Sequence, residues 1–484
     1  MTTPSKSPPI PHDDDAAGGA VPALAPPSPR PRTALALYYG TDPHRLRASL
    51  ARSVPTDALG RSTRHVLLAL TGVPDPGDTD GILPRDEKIA CAVRERARGR
   101  PGKALEILRE HVAVQRASAT VDDSDGWHPF LALLRGSTAM FAGDLVDAQA
   151  HLTRARMWHV APELRIIHRH AHALSALLHA VVGNRAVALG ELKTLDQVPV
   201  TGSWVEAEIA AAKSLCLSAL EAGDIDRRTS PSMPLSDLRE LWPFAALVYT
   251  QPHLEQGHFV DVEATLESIE RAGWPGVDTS DGLPGSVVPL LRAGIARARG
   301  DLLGAARALG RADPRCGETR SARTLLLLDT GELGRARDSA EELLRRATGM
   351  RRIRLTALGI LAACALRTKD SDAADHHLGA LCSQSMPLSP SEFGLLPADV
   401  AAALDDRASS PTVESPGESN PGAVTPGERA LLTLLETGAT RAEIAAALFV
   451  SVNTVKTRLR LLYRKLGASS AAEALAHAHR RGDL

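Results

Sequence analysis

Between Ser451 and Leu466 the chain reads SVNTVKTRLRLLYRKL. Hydrogen-bonding and cationic side chains (Ser451, Asn453, Thr454, Lys456, Thr457, Arg458, Arg460, Arg464 and Lys465) alternate with Val455, Leu459, Leu462 and Leu466, which recur at helical spacing. A helix built this way buries the apolar edge and turns its donors outward. Guanidinium, ammonium and hydroxyl donors suit phosphate oxygens and base edges. Laid in a major groove, the first turn of such a helix faces bases and its flanks face phosphates. This is the chemistry of duplex DNA recognition, not of bond breaking.

Other groups carry weaker signals. His168, His172 and His179 fall on one helical face, with His170 nearby. Three imidazoles so spaced could meet a metal, but helix histidines are more often partly exposed residues without one, and no metal is assigned. The run VDDSDG, Val121 to Gly126, is a poor calcium loop, because its first ligand position is Val121 and its twelfth is Ala132. A G-x-x-x-x-G-K-[ST] phosphate loop is absent: Gly102-Lys103 is followed by Ala104 and lacks the upstream glycine. Neither H-E-x-x-H nor G-x-S-x-G occurs. No catalytic residue, enzyme activity or cofactor is expected.

The basic segment needs neighbours to hold it. Thr425-Pro426-Gly427-Glu428 is a helix start, with a capping Thr, Pro in the first turn and Glu three residues after the Thr. The helix it opens carries Leu431, Leu432, Leu434 and Leu435 and stops at Gly438. Thr440 and Glu443 form a second capping box, and the helix they open presents Ile444 and Leu448, with Ala445 small enough for a close crossing. Val450 fills a turn, Ser451 caps the basic helix and Gly467 ends it. A last helix from about Ser470 offers a dimer seam of small and apolar residues: Ala471, Ala474, Leu475 and Ala478. From Thr425 to Leu484 there are nine Lys and Arg against five Asp and Glu, although the whole chain carries a formal charge of -1. A basic tail on a slightly acidic body suits a DNA-binding module joined to a protein-facing domain.

These elements, in this order, resemble the LuxR-type DNA-binding domain. The segments that carry the resemblance are TPGERALLTLLETG, EIAAALFVS, NTVKT, YRKLG and AAEALAHA, within Asn420 to Leu484. The resemblance implies that Lys456, Thr457 and Arg460 read bases. It puts Ser451, Asn453, Thr454, Arg458, Arg464 and Lys465 nearer the phosphates, and it implies pairing through the last helix. Arg458 stands where most members carry His, which adds a cation. The T-V-K-x-R-L run is also similar to the fourth region of sigma factors. The YRKLG segment and the helix after it favour the LuxR type.

Upstream, a pattern recurs: Gly, Ala five residues later, Leu four after that. It appears at Gly99, Ala104 and Leu108; at Gly143, Ala148 and Leu152; at Gly183, Ala188 and Leu192; and at Gly300, Ala305 and Leu309. Looser copies are Gly257, Val262 and Leu266, then Gly331, Ala336 and Ala340. A copy at Lys369, Ala374 and Leu378 lacks the glycine, and Gly223 with Asp224 marks a degenerate one. Intervals between anchors run from 31 to 44 residues. The physics is that of a helical hairpin. Gly ends one helix in a left-handed conformation, and an Asp or Asn often follows to cap the next (Asp144, Asn184, Asp224, Asp301). The Ala allows close approach and the Leu fills the seam. Such hairpins bury their apolar faces by stacking. The turn resembles the tetratricopeptide repeat, without most of that family's first-helix aromatic positions and without its closing Pro. One branch of LuxR-type regulators joins an ATPase to tetratricopeptide-like repeats and this terminal domain. The chain resembles that branch without the ATPase.

With 44% apolar residues and only 3% aromatics, Ala and Leu must build the core. The expectation is an all-α chain. It comprises a Pro/Gly/Ala-rich disordered arm (1–32), a tetratricopeptide-like helical array (33–406), a Ser/Pro/Gly linker (407–424) and a four-helix domain (425–484). Five scattered cysteines, without a C-x-x-C pair, read as free buried thiols. No apolar run approaches the ~18–20 residues of a membrane span, and no signal-peptide core is seen, so a cytoplasmic protein is expected. The function expected is a transcription regulator, with activation implied by the resemblance. It would bind an inverted-repeat site on double-stranded DNA as a homodimer and contact RNA polymerase, with its repeats sensing an effector or protein partner. The alternatives are a helical-repeat interaction scaffold and a sigma-factor-like promoter-binding protein.

Overall fold

The computed structural model describes residues 31–52, 58–73, 82, 84–115, 126–221, 235–255, 257–347, 349–384, 388–409, 426–441, 443–444, 455, 459, 462–463, 466, 468 and 470–481. Among the described residues every regular element is helical. The first described elements are α1 (Pro31–Gly40), α2 (Pro43–Arg52) and α3 (Ala58–Leu70). It continues with α4 (Pro84–Ala97), α5 (Pro101–Gln115), α6 (Trp127–Ala142), α7 (Leu145–Met157), α8 (Arg165–Val181), α9 (Arg185–Gln197) and α10 (Glu206–Glu221). Then come α11 (Trp242–Glu255), α12 (Phe259–Ala272), α13 (Gly282–Ala298), α14 (Leu302–Leu309), α15 (Gly317–Asp329), α16 (Leu333–Arg346), α17 (Arg351–Thr368) and α18 (Ser371–Cys382). The short α19 (Pro390–Phe393) and α20 (Ala398–Ser409) follow, then α21 (Pro426–Glu436) and α22 (Ala471–Arg481). No described helix is long and apolar enough to cross a membrane.

The recurrent Gly-Ala-Leu pattern lies at the turns of consecutive helix pairs. Gly99, Gly143, Gly183, Gly257, Gly300 and Gly331 all take a left-handed backbone, with φ from 73 to 87°. Lys369, which stands where the pattern lacks its glycine, takes the same conformation at φ 59°. Each turn closes with the same two hydrogen bonds. At the α6–α7 turn, Gly143 N–H donates to Met140 O (3.2 Å) and Asp144 N–H to Ala139 O (3.0 Å). This is the Schellman arrangement. The residue that completes it also stands at the start of the next helix. Asp144, Asp301 and Asp370 accept there from the backbone of Asp147, Gly304 and Ala373. Asn184 makes no such cap and its side chain donates instead to Gly349 O. The copy at Gly223 and Asp224 lies outside the described residues.

The pattern's small and apolar residues are the buried ones. Ala104, Ala148, Ala188, Val262, Ala336, Leu152 and Ala340 are fully buried, and Leu108, Leu192, Leu266, Ala305, Leu309, Ala374 and Leu378 nearly so. Gly143 serves space as well as conformation, because a Cβ there would lie 2.5 Å from Cys316 Sγ. Leu and Ala dominate a core that runs from Ala34 to Met350, and a second cluster continues from Leu328 to Leu404. All five cysteines are free thiols, but only Cys216, Cys316 and Cys364 are buried; Cys91 is half-buried and Cys382 exposed.

Buried polar groups tie the helix pairs together. Arg169 on α8 pairs with Glu206 through two parallel bonds of 2.8 and 2.9 Å. Its remaining nitrogen donates to Leu195 O and Val198 O, so one guanidinium also satisfies the C-terminal carbonyls of α9. Asp281, which opens α13, does not cap its own helix. It accepts from Gly102 N (2.5 Å) and Lys103 N (3.1 Å) and thereby caps α5, while Asp313 accepts from Gly282 N at 2.7 Å. Near the start of the body, Glu208 lies 3.9 Å from His170, close to Tyr38 and Tyr39. Burial, with the charge of Glu240 adding to it, pushes the Glu208 carboxyl up to about 7. Burial and the charge of Arg96 bring His170 down to about 4.

Candidate nucleic-acid interface

The C-terminal segment has a core of its own. Leu431, Leu432, Ile444, Val455, Leu459, Leu462, Leu466, Ala474 and Ala478 form one buried cluster, with Leu434, Leu435, Tyr463 and Leu475 packed against it. Local signals set its geometry. The helix α21 ends in the same turn as the body's hairpins: Gly438 takes φ 74°, its N–H donates to Leu435 O, and Ala439 N–H donates to Leu434 O. Thr440 and Glu443 form the expected capping box: Thr440 N–H donates to Glu443 Oε2 (2.7 Å) and Glu443 N–H to Thr440 Oγ1 (3.3 Å). Hydrogen bonding from the Thr440 backbone N–H, with a further one from its side chain, favours the ionised carboxylate and holds Glu443 below the usual range.

Val455, Leu459, Leu462 and Leu466 are each no more than 4% exposed. Their separations of four, three and four residues put them on one helical edge, as the apolar spacing predicts. Tyr463, beside that row, is half-buried, and burial raises its hydroxyl. Ser470 caps α22 through Glu473 N–H (3.2 Å). His477 on α22 reaches Leu466 O at 2.7 Å, and His479 pairs with Glu436 of α21 at 2.8 Å, so the C-terminal half of α22 is held by two separate contacts.

All the expected DNA contacts (Ser451, Asn453, Thr454, Lys456, Thr457, Arg458, Arg460, Arg464 and Lys465) lie outside the described residues. So do Thr425, Ala445, Leu448, Val450 and Gly467. The expected dimer seam divides. Ala474 and Ala478 are 0% exposed and contribute to the domain's own core, so they have no surface left for a partner. Their small size serves the crossing of α22 against α21. Ala471 and Leu475 are half-buried and retain outward area.

The body's histidine row does not converge. His168 meets Trp158 O (2.9 Å), His172 meets Glu191 (2.6 Å), and His179 lies 3.3 Å from the Asn184 amide. Separate partners divide the row. A different trio, His253, His258 and Asp261, does bring its ligand atoms together, and the sequence reading missed it.

Residues 423–478 match the family model described as GerE, bacterial regulatory proteins, luxR family. This segment is a DNA-binding helix-turn-helix domain of a transcription regulator, within an all-α chain. A search of curated proteins found no match to the chain.

Proposed function

We propose that the protein is a regulator that reads an inverted-repeat DNA site as a homodimer and activates transcription through contact with RNA polymerase. The single observation that carries this reading is the buried row Val455, Leu459, Leu462 and Leu466. Every cation of the segment falls between or beside those anchors in the sequence, and a helix continued through them would carry the polar residues on its other faces. In this reading Lys456, Thr457 and Arg460 contact bases. Ser451, Asn453, Thr454, Arg458, Arg464 and Lys465 contact phosphates. The outward area of Ala471 and Leu475 supplies the seam between two copies. The stacked hairpins form a tetratricopeptide-like array (33–406), joined through residues 407–424 to the DNA-binding domain. The body takes an effector or protein partner, as such arrays offer long concave surfaces. No catalytic step or cofactor enters this reading, and the protein acts in the cytoplasm.

Selection of bound duplexes from a random pool by the full chain, followed by titration at two salt concentrations, tests the proposal. The expected result is enrichment of two half-sites in inverted orientation. Their centres should be spaced by about one helical turn, and affinity should fall steeply with salt. Enrichment of no sequence, or of a single half-site bound by one copy, would overturn it.

A further inference from the structure

We propose that His253, His258 and Asp261 form a binding site for a zinc-class divalent cation at the turn between α11 and α12. Backbone geometry brings the three together. The turn closes by the hydrogen bond from His258 N–H to His253 O (2.8 Å), which sets residues five apart in sequence side by side. Asp261 follows His258 by three residues, in the first turn of α12, so both share one face of that helix. The ligand atoms of the trio all lie within 4.8 Å of one another. His253 Nδ1 and Asp261 Oδ2 are 3.4 Å apart. That is close to the edge of a tetrahedron with metal–ligand bonds of about 2.0–2.1 Å.

A second observation points to a ligand. The His253 side chain is 39% exposed, but its Nδ1 atom is occluded and makes no hydrogen bond, its one charged neighbour being the Asp261 carboxylate at 3.4 Å. A buried polar atom left this way costs free energy unless something satisfies it, and a cation between the two groups would do so. Two imidazoles with one carboxylate are the ligand set of borderline cations such as Zn²⁺, Co²⁺ and Ni²⁺, not of Mg²⁺ or Ca²⁺, which take oxygen. Three protein ligands leave a position for water or a further ligand. His258 and Asp261 are exposed, so a cation can enter from solvent. The bound ion would cross-link the end of α11 to the start of α12. The site stands independently of the DNA-binding reading.

Titration of the metal-free full chain with Co²⁺, followed by its visible absorption and then by displacement with Zn²⁺, tests the site. The chain holds 17 histidines, so comparison with variants isolates this trio. His258 makes no side-chain capping bond, and His258→Ala therefore removes a ligand without removing a cap. The intense bands of four- or five-coordinate Co²⁺ should appear in the parent chain. They should be lost, with at least tenfold weaker binding, in both His258→Ala and Asp261→Asn. As a second measurement, Zn²⁺ should raise the Tm of the parent chain and leave both variants unmoved. Only six-coordinate Co²⁺ in the parent chain, or equal spectra and equal Zn²⁺ shifts in parent and variants, would overturn the assignment.

Discussion

Asp281 caps a helix far upstream: its carboxylate accepts at 2.5 Å from Gly102 N–H, 179 residues before it, and leaves its own helix to Asp313. One side chain thus joins the hairpin α4–α5 to the start of α13. Asp281→Ala should cost about 1–2 kcal/mol, the usual loss on removing a helix cap. Asp281→Asn should retain most of that, because an amide oxygen still accepts. Urea titration followed by circular dichroism measures both. Equal midpoints for the parent and Asp281→Ala would show that α5 needs no cap from outside.

Lys369 adopts at φ 59° the conformation that glycine takes at the equivalent turns. Relief of the Cβ strain by Lys369→Gly should stabilise the chain by up to about 1 kcal/mol, offset in part by the added entropy of the unfolded glycine. The reverse experiment is Gly143→Ala, which forces a left-handed alanine and sets its methyl against Cys316 Sγ. It should cost several-fold more. If the two variants melted together, the turn would not be the strained element.

Leu459 is 4% exposed in the core beneath the basic segment. Leu459→Ala should cost about 2–5 kcal/mol and weaken binding to every DNA sequence, since the scaffold loosens. Lys456→Ala and Arg460→Ala should leave melting unchanged, cost ~1–3 kcal/mol on the selected site and relax base preference. Arg464→Ala should weaken all sequences alike and reduce the salt slope by about one. A Lys456→Ala variant that lost the same affinity on random DNA would move that residue to the phosphate set.

The Glu208 carboxyl titrates at about 7 against an ordinary 4.5, because burial and the charge of Glu240 disfavour its ionised form. Between those values the folded chain holds a proton that the unfolded chain releases. Stability from this group is therefore full below pH 4.5 and is lost as pH rises through 7. Glu208→Gln should stabilise the protein by about 1–3 kcal/mol at pH 8, after discount for partial exposure, and by little at pH 4.5. His170, brought down to about 4, runs oppositely, its stability being lost as pH falls from 6.5 to 4. Thermal melts of parent and variant across pH 4.5–8 should diverge upward; parallel curves would contradict the assignment.

Much of the fold was legible because its signals are local. The Gly-Ala-Leu spacing carries a backbone conformation, a close approach and a buried seam within ten residues, and all three are found at Gly143, Ala148 and Leu152. The capping box at Thr440 and the row from Val455 to Leu466 are equally short-range. What escaped depends on distant partners. That Asp281 would cap α5, or that Arg169 would close the end of α9, has no pattern in the sequence. Ala474 and Ala478 were assigned to a dimer seam because small residues serve either kind of packing, and only three-dimensional placement separates the two. The His253, His258 and Asp261 trio was overlooked because its spacing follows a turn, whereas the histidine row examined for metal follows one helix. Its signal was present in the pattern itself, as two histidines that bracket the glycine Gly257.

The shared turn residue has a consequence for how such a chain tolerates change in length. Because Asp144 finishes one helix and begins the next, no slack exists at that corner. One inserted residue would rotate the following helix by about 100° and swing its apolar stripe toward water. Additions and losses are therefore confined to the connections between pairs. The intervals of 31 to 44 residues sit beside an unvarying five-and-four step for that reason: the corners act as fixed joints, and all the tolerance in the chain lies between them.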